Sequence, residues 1–266
     1  MYRGSAAHYR AGRMPYPPQL ADLLRGALGL DGTGRLLDVG CGPGSLTIVL
    51  APLFRSVVGV DADPDMLGEA ARHAEDSGVD NVEWRCLRAE ELPAGLGTFD
   101  VITFAQSFHW MDQPVVARTV RPMLTGGGAW VHVGATTHQG VPGEDELPHP
   151  RPPWDGIKEL IAAYLGTTLR AGQGTLPAGG RDGEEDVMRA AGYQGPQRID
   201  VTRGEVVTRT ADEVVSAVLS LSGSAPHLFG DRVADFERDL RRRLAQTSPA
   251  GVFSERLRDV SLVIWR

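Results

Sequence analysis

The stretch that decides the fold reads LLDVGCGPG and occupies residues 36–44. Its first four residues, 36–39, are an apolar run that favours a buried strand, and residues 44–52 favour a short helix. Between them, three glycines let the backbone turn sharply and approach a ligand where any Cβ would collide. In an open α/β sheet such a loop lies at the carboxyl end of a strand, where ligands bind.

One acidic residue beyond this loop indicates the kind of ligand. Residues 57–60 form a second apolar run, and Asp61 follows it, 21 residues after Gly40. A carboxylate at this position can accept both hydroxyl protons of a ribose, so we predict a nucleoside-containing ligand. A dinucleotide, and with it a nicotinamide oxidoreductase, is disfavoured because Ser45 replaces a fingerprint glycine and Pro43 lacks a donor for a pyrophosphate. The alternative is a glycine turn that merely joins a strand to a helix.

Strands and helices alternate along residues 35–133. The predicted strands cover residues 36–39, 57–60, 82–87, 99–104 and 129–133, and the predicted helices cover 44–52, 64–77 and 114–120. This alternation is typical of βαβ units and a parallel sheet. Because the crossovers are right-handed, helices should cover both faces of the sheet. The sequence therefore predicts an α/β fold.

The pattern changes after Gly134. Five prolines between Val141 and Trp154 predict an irregular loop, because each proline removes a backbone donor. Further helices are predicted at 154–169, 184–191, 211–221 and 231–244, and further strands at 199–207 and 260–265. We accordingly divide the chain into an N-terminal lid (1–30), a Rossmann-like cofactor-binding core (31–134), an inserted substrate cap (135–195) and a C-terminal part that completes the sheet and the cap (196–266).

The composition excludes several classes of protein. The 266 residues carry a formal charge of −7, which disfavours nucleic-acid binding because that needs a basic surface. No apolar run is long enough to span a membrane. Residues 1–5 lack the apolar core of a secretory signal. Cys41 and Cys86 alone cannot form a disulfide framework. We expect a soluble cytoplasmic protein, monomeric or homodimeric. Lys158 is the only lysine, a skew typical of a GC-rich bacterial genome.

The sequence resembles the class I S-adenosylmethionine-dependent methyltransferases. Residues 37–44 match their first motif nearly letter for letter, and residues 63–67, 89–93, 99–102 and 124–128 resemble later segments of the family. The resemblance implies a Rossmann-like sheet of seven mostly parallel strands with an antiparallel last strand, in which residues 199–207 and 260–265 supply strands six and seven. It also implies S-adenosylmethionine as the cofactor.

The resemblance further implies which residues bind this cofactor. Asp61 falls at the ribose-binding acid, and Met66 falls where a side chain packs on the adenine. The full implied set is Asp38, Gly40, Cys41, Gly42, Gly44, Asp61, Ala62, Met66, Ala89, Glu90, Ala105 and Gln106. Arg88 departs from the pattern, because many members have an aspartate there and an arginine cannot accept a hydrogen bond from the adenine amino group. Glu90 or the backbone of Ala89 is then left to recognise the adenine.

The N-terminus carries a second likeness. Tyr9, Arg10, Arg13 and residues 15–17 resemble the leader of small-molecule methyltransferases that folds over the cofactor. Tyr9 and Arg13 are therefore candidate cofactor contacts, and the Arg13 guanidinium suits the methionyl carboxylate. The alternative is a frayed tail with a solvated cluster of charges.

Residues 105–110 follow the fourth predicted strand and should face the transferred methyl group. His109 is the candidate base because the unperturbed pKa of histidine lies near neutrality, although a base is needed only for an acceptor that still carries its proton. Phe108 and Trp110 are candidate substrate contacts that act through cation–π attraction. The alternative makes Phe108 and Trp110 core residues and bonds His109 to a backbone carbonyl.

We expect no metal site and a small-molecule acceptor. Asp112 alone makes a poor magnesium site. The histidines His132, His138 and His149 are spaced like loop residues and do not indicate a metal site. The basic run 241–243 alternates with acids, which is typical of a solvated helix face. The family motif Asn/Asp-Pro-Pro-Tyr, used for amide and base nitrogens, is missing. These features predict methyl transfer to an O or N acceptor on a small molecule of secondary metabolism. The alternatives are another reaction on this fold and a non-catalytic binding subunit.

Overall fold

The computed structural model describes residues 4–167, 170–171, 174–175 and 183–266. Within them the strands are β1 (Arg35–Val39), β2 (Ser56–Asp61), β3 (Val82–Cys86), β4 (Phe99–Ala105), β5 (Leu124–Gly134), β6 (Arg170–Ala171), β7 (Gly174–Thr175), β8 (Gln197–Val201), β9 (Val206–Thr210), β10 (Val252–Arg256) and β11 (Val260–Trp265). The α-helices are α1 (Ala6–Gly12), α2 (Gln19–Leu28), α3 (Ser45–Leu50), α4 (Pro64–Asp76), α5 (Gln113–Val120), α6 (Trp154–Leu165), α7 (Glu184–Ala190), α8 (Ala211–Leu219), α9 (Pro226–Phe229) and α10 (Val233–Thr247). Short 3-10 turns lie at Ala51–Leu53, Ala89–Glu91, Phe108–Trp110, Arg121–Met123, Ser222–Ser224 and Gly230–Arg232.

The chain forms two compact units. The sheet unit consists of the described residues of 16–135, 179–202 and 259–266, and the second unit consists of those of 1–15, 136–178 and 203–258. This division differs from the one we predicted. The segment predicted as a lid, 1–30, is divided, because α1 belongs to the second unit and α2 to the sheet unit. The segment predicted as a cap, 135–195, is divided as well, because α7 belongs to the sheet unit.

The sheet unit is built on a sheet whose strands stand in the order β3-β2-β1-β4-β5-β11-β8. The first five of these strands pair in parallel, and β11 runs antiparallel to both β5 and β8. The predicted fold class, a seven-stranded and mostly parallel Rossmann-like sheet, is therefore confirmed. The order of the strands reverses between β1 and β4, and the carboxyl ends at such a switch point form the usual ligand crevice of an α/β sheet.

Helices cover both faces of this sheet because successive residues of a strand point to opposite sides. Leu36 packs into one core cluster together with Leu24 of α2. Its neighbour Leu37 packs into the other cluster, together with Val116 of α5 and Met188 of α7. All five side chains are fully buried. This packing is the physical reason that α2 and α7 belong to the sheet unit rather than to a lid or a cap.

The predicted strand over residues 199–207 is wrong as a single element. The structure has two strands there, because β8 pairs with β11 in the large sheet whereas β9 pairs antiparallel with β10 in a separate two-stranded sheet. The sequence pattern did not indicate β10, although its central Phe253 and Ser254 are fully buried. Strand propensity reports how well a residue suits a half-buried pleated surface, and it does not say which partner the strand pairs with.

The ends of several helices also differ from the prediction. Helix α6 ends at Leu165, and the predicted end at residue 169 lies outside the described residues. Helix α10 begins at Val233 and runs to Thr247, later than predicted at both ends. The irregular loop predicted between Val141 and Trp154 is confirmed, since this stretch contains neither helix nor strand. None of the helices in the described part of the chain has the length and apolarity needed to cross a membrane.

The second unit has its own apolar core. In α10 the residues Phe236, Leu240 and Leu244 are fully buried at a spacing of four, which is one face of a helix. They pack in a cluster that also includes residues of α6, α8 and β10. Elsewhere on α10, Arg241 pairs with Glu237 and Arg242 with Asp239, as expected of a solvated face.

Candidate functional site

The loop after β1 is held in a conformation that favours glycine. Gly40, Gly42 and Gly44 have φ angles of 69°, 54° and 75°. The backbone N–H groups of Gly40 and Cys41 both donate to the carbonyl of Val60, over 2.8 and 3.0 Å, which ties the loop to the end of β2. The loop is therefore a fixed cradle at the switch point of the sheet.

Space around two of these glycines shows which side of the cradle is filled by protein. A Cβ added to Gly40 would lie 2.5 Å from the Cβ of Ser107, so the segment after β4 presses directly on the loop. The Ser107 hydroxyl also donates to the carbonyl of Val39 over 2.6 Å. A Cβ added to Gly42 would meet no protein atom within 4 Å. The cradle is thus closed at Gly40 and open at Gly42.

Asp38 lies inside the fold rather than on the ligand side of this loop. It is 1% exposed, and its two carboxylate oxygens accept hydrogen bonds from the hydroxyls of Thr47 (2.6 Å) and Thr103 (2.8 Å). Burial raises the pKa of Asp38 to about 6 despite both hydrogen bonds. Asp38 therefore joins β1 to α3 and β4 and sets the position of the loop. The cofactor contact predicted for Asp38 stays a prediction, and the two threonine partners were not predicted from the sequence.

Asp61 presents its carboxylate at the open side of the loop. One oxygen accepts a hydrogen bond from the Gly42 N–H and the other from the Asp63 N–H, each at 2.9 Å. Burial raises the pKa of Asp61, an effect that the backbone donors of Asp63 and Gly42 partly offset. An ionised carboxylate has about four lone-pair sites, so both oxygens retain capacity for the hydroxyls of a ribose. The cradle and this carboxylate fit the nucleoside predicted from the sequence.

The residues predicted to contact the adenine are buried or half-buried. Met66 (2% exposed) and Ala89 (7%) are both buried, whereas Ala62 is exposed. Glu90 is half-buried, and one of its oxygens accepts from the backbone N–H of Asp112 over 3.1 Å. Glu90 also lies 3.4 Å from Nε of the largely exposed Arg88. Glu90 thus fastens the turn Ala89–Glu91 to the first residue before α5, and its adenine contact stays a prediction.

The segment after β4 is strained at Gln106. This residue has a φ of 53°, which is uncommon outside glycine and often marks functional positions. Its amide Nε2 donates to the carbonyl of Val133 over 3.3 Å. Ala105, which ends β4, is half-buried. The geometry brings Ala105 and Gln106 to the same edge of the sheet as the glycine loop.

The three aromatic residues that follow have different environments. Phe108 is buried against Phe104 and Trp130, with ring centroids 5.4 and 5.0 Å away, which agrees with the alternative that made it a core residue; its contact with the substrate stays a prediction. His109 is exposed, and its ring lies 4.6 Å from that of the half-buried Trp110. The roles of His109 as base and of Trp110 as substrate contact stay predictions.

A cavity of about 200 Å³ opens beside this segment in the sheet unit. Its walls include all four residues from Gln106 to His109, but Trp110 is not among them. Because Ser107 both lines the cavity and presses on Gly40, the cavity adjoins the glycine loop. Its far side is formed by residues of β5, α7, β8 and β11.

His132 is the site residue that sequence reasoning missed. It falls within the predicted strand 129–133 but was grouped with His138 and His149 as spaced like loop residues. It lies in β5, is 9% exposed and lines the cavity. Its Nε2 accepts a hydrogen bond from the indole N–H of Trp130 over 2.7 Å, and its Nδ1 lies 3.1 Å from a carboxylate oxygen of Glu184. The alternation of residues along a strand places Trp130 and His132 on one face, which is a signal in the sequence. Nothing local in the sequence indicates that Glu184 joins them.

Tyr9 and Arg13 lie in the second unit. The Arg13 guanidinium donates to the hydroxyl and carbonyl oxygens of Ser220 over 2.8 and 3.0 Å, and it lies 4.5 Å above the centroid of the Tyr9 ring. This segment is therefore an ordered part of its unit rather than a frayed tail. Its contact with the methionyl carboxylate stays a prediction.

Comparisons with known proteins agree with this geometry. Residues 36–128 match the family model described as a methyltransferase domain. An uncharacterized methyltransferase of Mycobacterium tuberculosis is 36% identical over 126 residues, which cover 46% of this chain and 48% of that protein. The uncharacterized methyltransferase YcgJ of Bacillus subtilis is 33% identical over 100 residues, 37% of this chain and 40% of that protein. The chain thus spans less than half the length of these curated relatives.

Solved structures extend the likeness of fold over most of the chain. The structure of YcgJ matches with a TM-score of 0.53 at 19% identity and covers 93% of this chain and 98% of that chain. The cyclase SpnF matches with a TM-score of 0.54 at 19% identity and covers 96% and 86%. At such identities the likeness concerns the fold alone.

A glycine cradle after β1, a carboxylate after β2 and a switch point between β1 and β4 define a Rossmann-like nucleoside-binding domain. Residues 36–128 match the family model, so this part of the chain is a methyltransferase domain, in agreement with the resemblance to the class I S-adenosylmethionine-dependent methyltransferases. S-adenosylmethionine is the cofactor of this class.

Proposed function

We propose that this protein transfers a methyl group from S-adenosylmethionine to an O or N acceptor on a small molecule, in the context of secondary metabolism. The observation that carries the proposal is the cavity of about 200 Å³ that adjoins the glycine loop through Ser107. A volume of this size suits a small molecule. The formal charge of −7 is unfavourable for binding a nucleic acid as the acceptor.

The residues that would hold the cofactor fit its chemistry. The open side of the cradle at Gly42 leaves room for a ligand, and Asp61 offers acceptor capacity to the ribose hydroxyls. Pro43 contributes no donor, which matches a ligand without phosphate. When bound, the cofactor supplies an activated methyl group, and the protein supplies orientation and electrostatics.

The contribution of this chain is then alignment of the acceptor. Effective positioning of two reactants can lower a barrier by about 7–11 kcal/mol in favourable cases. The fixed segment from Gln106 to His109 forms one wall of the cavity, and Gln106 is held by Val133. His109 is the candidate for taking a proton from an acceptor that still carries one, because its exposed imidazole lines the cavity and can accept a proton.

The first test is cofactor binding. Thermal shift assays with S-adenosylmethionine, S-adenosylhomocysteine and NAD should show stabilisation by the two sulfur compounds only. Asp61→Ala should weaken S-adenosylhomocysteine binding at least tenfold, because the ribose loses its charged acceptor, whereas His109→Ala should bind it normally. Stabilisation by NAD alone would overturn the proposal, and normal binding by Asp61→Ala would overturn the placement of the ribose.

The fold by itself does not decide the reaction, since the cyclase SpnF shares it. A screen of small-molecule acceptors that follows release of S-adenosylhomocysteine distinguishes the possibilities. Release with an acceptor supports methyl transfer. Cofactor binding without release across the screen supports another reaction on this fold or a non-catalytic binding subunit.

A further inference from the structure

Three arginines from separate parts of the second unit contact one short loop, residues 137–140, which we call the arginine-bound loop. Arg13 donates to the hydroxyl of its first residue over 3.4 Å, and Arg209 donates to the carbonyl of its second residue over 2.9 Å. Arg258 donates through Nε to the carbonyl of its fourth residue over 3.0 Å. All of these residues belong to the second unit. Three guanidinium groups are therefore gathered at four consecutive residues.

An acid matches the charge of Arg209 but not the charges of the other two arginines. Arg209 pairs with Glu255 at 2.8 Å, whereas Arg13 and Arg258 form no ion pair within the part of the chain that the structure describes. Arg13 is held by the neutral oxygens of Ser220, and the terminal nitrogens of Arg258 donate to no described residue. Both side chains are half-buried. A charge that is partly removed from water is costly unless it is paired, so these two cations favour an anion from outside the chain.

The imidazole of His138 lies among the same charges. It is half-buried, its ring stands at 89° to the ring of Trp154, and its nitrogens make no hydrogen bond to the described residues. Burial, followed by the charges of Arg13, Arg258 and Arg209, lowers the pKa of His138 to about 3. The ring is therefore neutral near pH 7, and a neutral imidazole still has one N–H donor. His138 thus adds a donor at the place where the positive potential is felt.

The charge of the second unit does not oppose an anionic ligand. The whole chain has a formal charge of −7, but the residues of the second unit include 15 arginines and lysines and 13 acidic residues. The planar fork of a guanidinium matches the geometry of carboxylate and phosphate groups and binds them through charge-assisted hydrogen bonds. The cofactor fits less well, because its carboxylate is accompanied by an ammonium and a sulfonium, which unmatched guanidinium charges repel.

We propose that Arg13, Arg258 and His138 at the arginine-bound loop bind the carboxylate or phosphate group of a small molecule other than the cofactor. Arg258 donates through the terminal nitrogens of its guanidinium, His138 donates through its ring N–H, and Arg13 supplies a second positive charge. The inference goes beyond the proposed function and does not depend on methyl transfer. Every group that carries it lies in the second unit, whereas the glycine loop and Asp61 lie in the sheet unit.

The test compares three probes that share a ring and differ in charge: benzoate, phenyl phosphate and benzyl alcohol. Calorimetry with the full chain should show at least one anion binding at least tenfold more tightly than benzyl alcohol, and the tighter anion identifies the group. Arg258→Gln should lose this preference, and Arg258→Lys, which keeps the charge without the fork, should keep part of it. Arg242→Gln is the matched control, because it removes the same charge from an exposed pair with Asp239 in the same unit, and it should keep the preference.

Cofactor binding distinguishes the two sources of a carboxylate. Arg258→Gln should bind S-adenosylhomocysteine and 5′-methylthioadenosine, which lacks the amino acid part, as tightly as the wild type does. A loss confined to S-adenosylhomocysteine would assign the site to the methionyl carboxylate and overturn the inference. Equal affinities for the three probes, or equal losses in Arg258→Gln and Arg242→Gln, would overturn it as well.

The wild type offers a readout that needs no variant. In NMR spectra the ring resonances of His138 should shift when the tighter anion is added and should not shift with benzyl alcohol. Resonances that stay unchanged at saturating anion would overturn the inference even if Arg258→Gln did not fold. A wild type that binds the anion but not S-adenosylhomocysteine would instead overturn the proposed function and leave the anion site standing.

Discussion

The two units bury polar groups in different ways. In the sheet unit, Asp38 accepts hydrogen bonds from Thr47 and Thr103, both neutral hydroxyl groups. In the second unit, Glu255 forms an ion pair of 2.8 Å with Arg209, and the two side chains are 3% and 5% exposed. The first arrangement keeps one carboxyl group in the fold at the cost of a raised pKa, whereas the second keeps two charges by pairing them. We therefore expect the stability of the two units to change differently when a hydrogen-bond or ion-pair partner is removed and when the pH changes.

The largest effect is expected from Glu255→Ala. Besides Arg209, Glu255 accepts hydrogen bonds from the backbone N–H of Gly140 (2.7 Å) and the indole N–H of Trp154 (2.8 Å). Removing one partner of a buried ion pair costs about 3–5 kcal/mol, because the other charge stays buried. Urea unfolding should show a loss of this size. The control Asp235→Ala removes an exposed pair with Arg238 and should cost less than about 1 kcal/mol. Equal losses in the two variants would mean that the buried pair stabilises the fold no more than an exposed one.

A smaller loss is expected from Asp38→Ala. The hydroxyls of Thr47 and Thr103 are fully buried and would lose their carboxylate acceptor, which leaves Thr103 with the Leu37 carbonyl at 3.4 Å. A buried unsatisfied polar group costs about 1–3 kcal/mol. Relief of the buried charge offsets part of this cost. Asp38→Asn should lose less than Asp38→Ala, because an amide can accept from one threonine and donate to the other. Equal unfolding free energies for the two variants would show that these hydrogen bonds do not matter.

The smallest expected effect is a change of stability with pH, and its direction differs between Asp38 and His138. The pKa of Asp38 is raised to about 6, so the native state takes up a proton more readily than the unfolded state, and this contribution to stability falls as the pH rises from about 4 through 6. In the second unit the pKa of His138 is lowered to about 3, first by burial and then by the charges of Arg13, Arg258 and Arg209. Its contribution is present above about pH 6.5 and is lost as the pH falls towards 3.

Two variants separate these opposite contributions. Relative to the wild type, Asp38→Asn should gain stability as the pH rises from 4 to 6, whereas His138→Gln should gain stability as the pH falls over the same interval. Urea unfolding at several pH values measures both differences. Parallel curves for wild type and either variant would contradict the titration assigned to that residue.

The comparison of the units also explains what the sequence predicted. In the sheet unit the cradle, Asp61 and the strands around them lie within one continuous stretch, where local spacing reflects the geometry of βαβ units. The prediction for the fold was confirmed for that reason. The second unit is assembled from three separate stretches of the chain, and its β10 pairs with a strand about 45 residues earlier in the sequence. Local patterns carry no information on such a pairing, so β10 and the division of the lid and cap were missed.

The same distinction holds within the site. Asp61 and the glycines could be predicted as candidates because their spacing is short and fixed, and Gln106 and His109 because they directly follow a strand. The contact of Glu184 with His132 was missed because Glu184 lies 52 positions further along the chain and reaches His132 through the packing of α7 on the sheet. Its partner His132 carried a readable signal, the alternation along β5, which was outweighed by its position near the expected insertion.

The two cysteines have a practical consequence for studying this protein. Cys41 is buried within the glycine loop, and burial raises the pKa of its thiol well above the ordinary value, so it reacts slowly. Cys86 is exposed at the end of β3, directly beside Asp61 in the strand register. A thiol-reactive fluorophore should therefore attach at Cys86 alone, without mutagenesis. The natural sequence thus supplies its own optical sensor position next to the carboxylate predicted to hold the ribose.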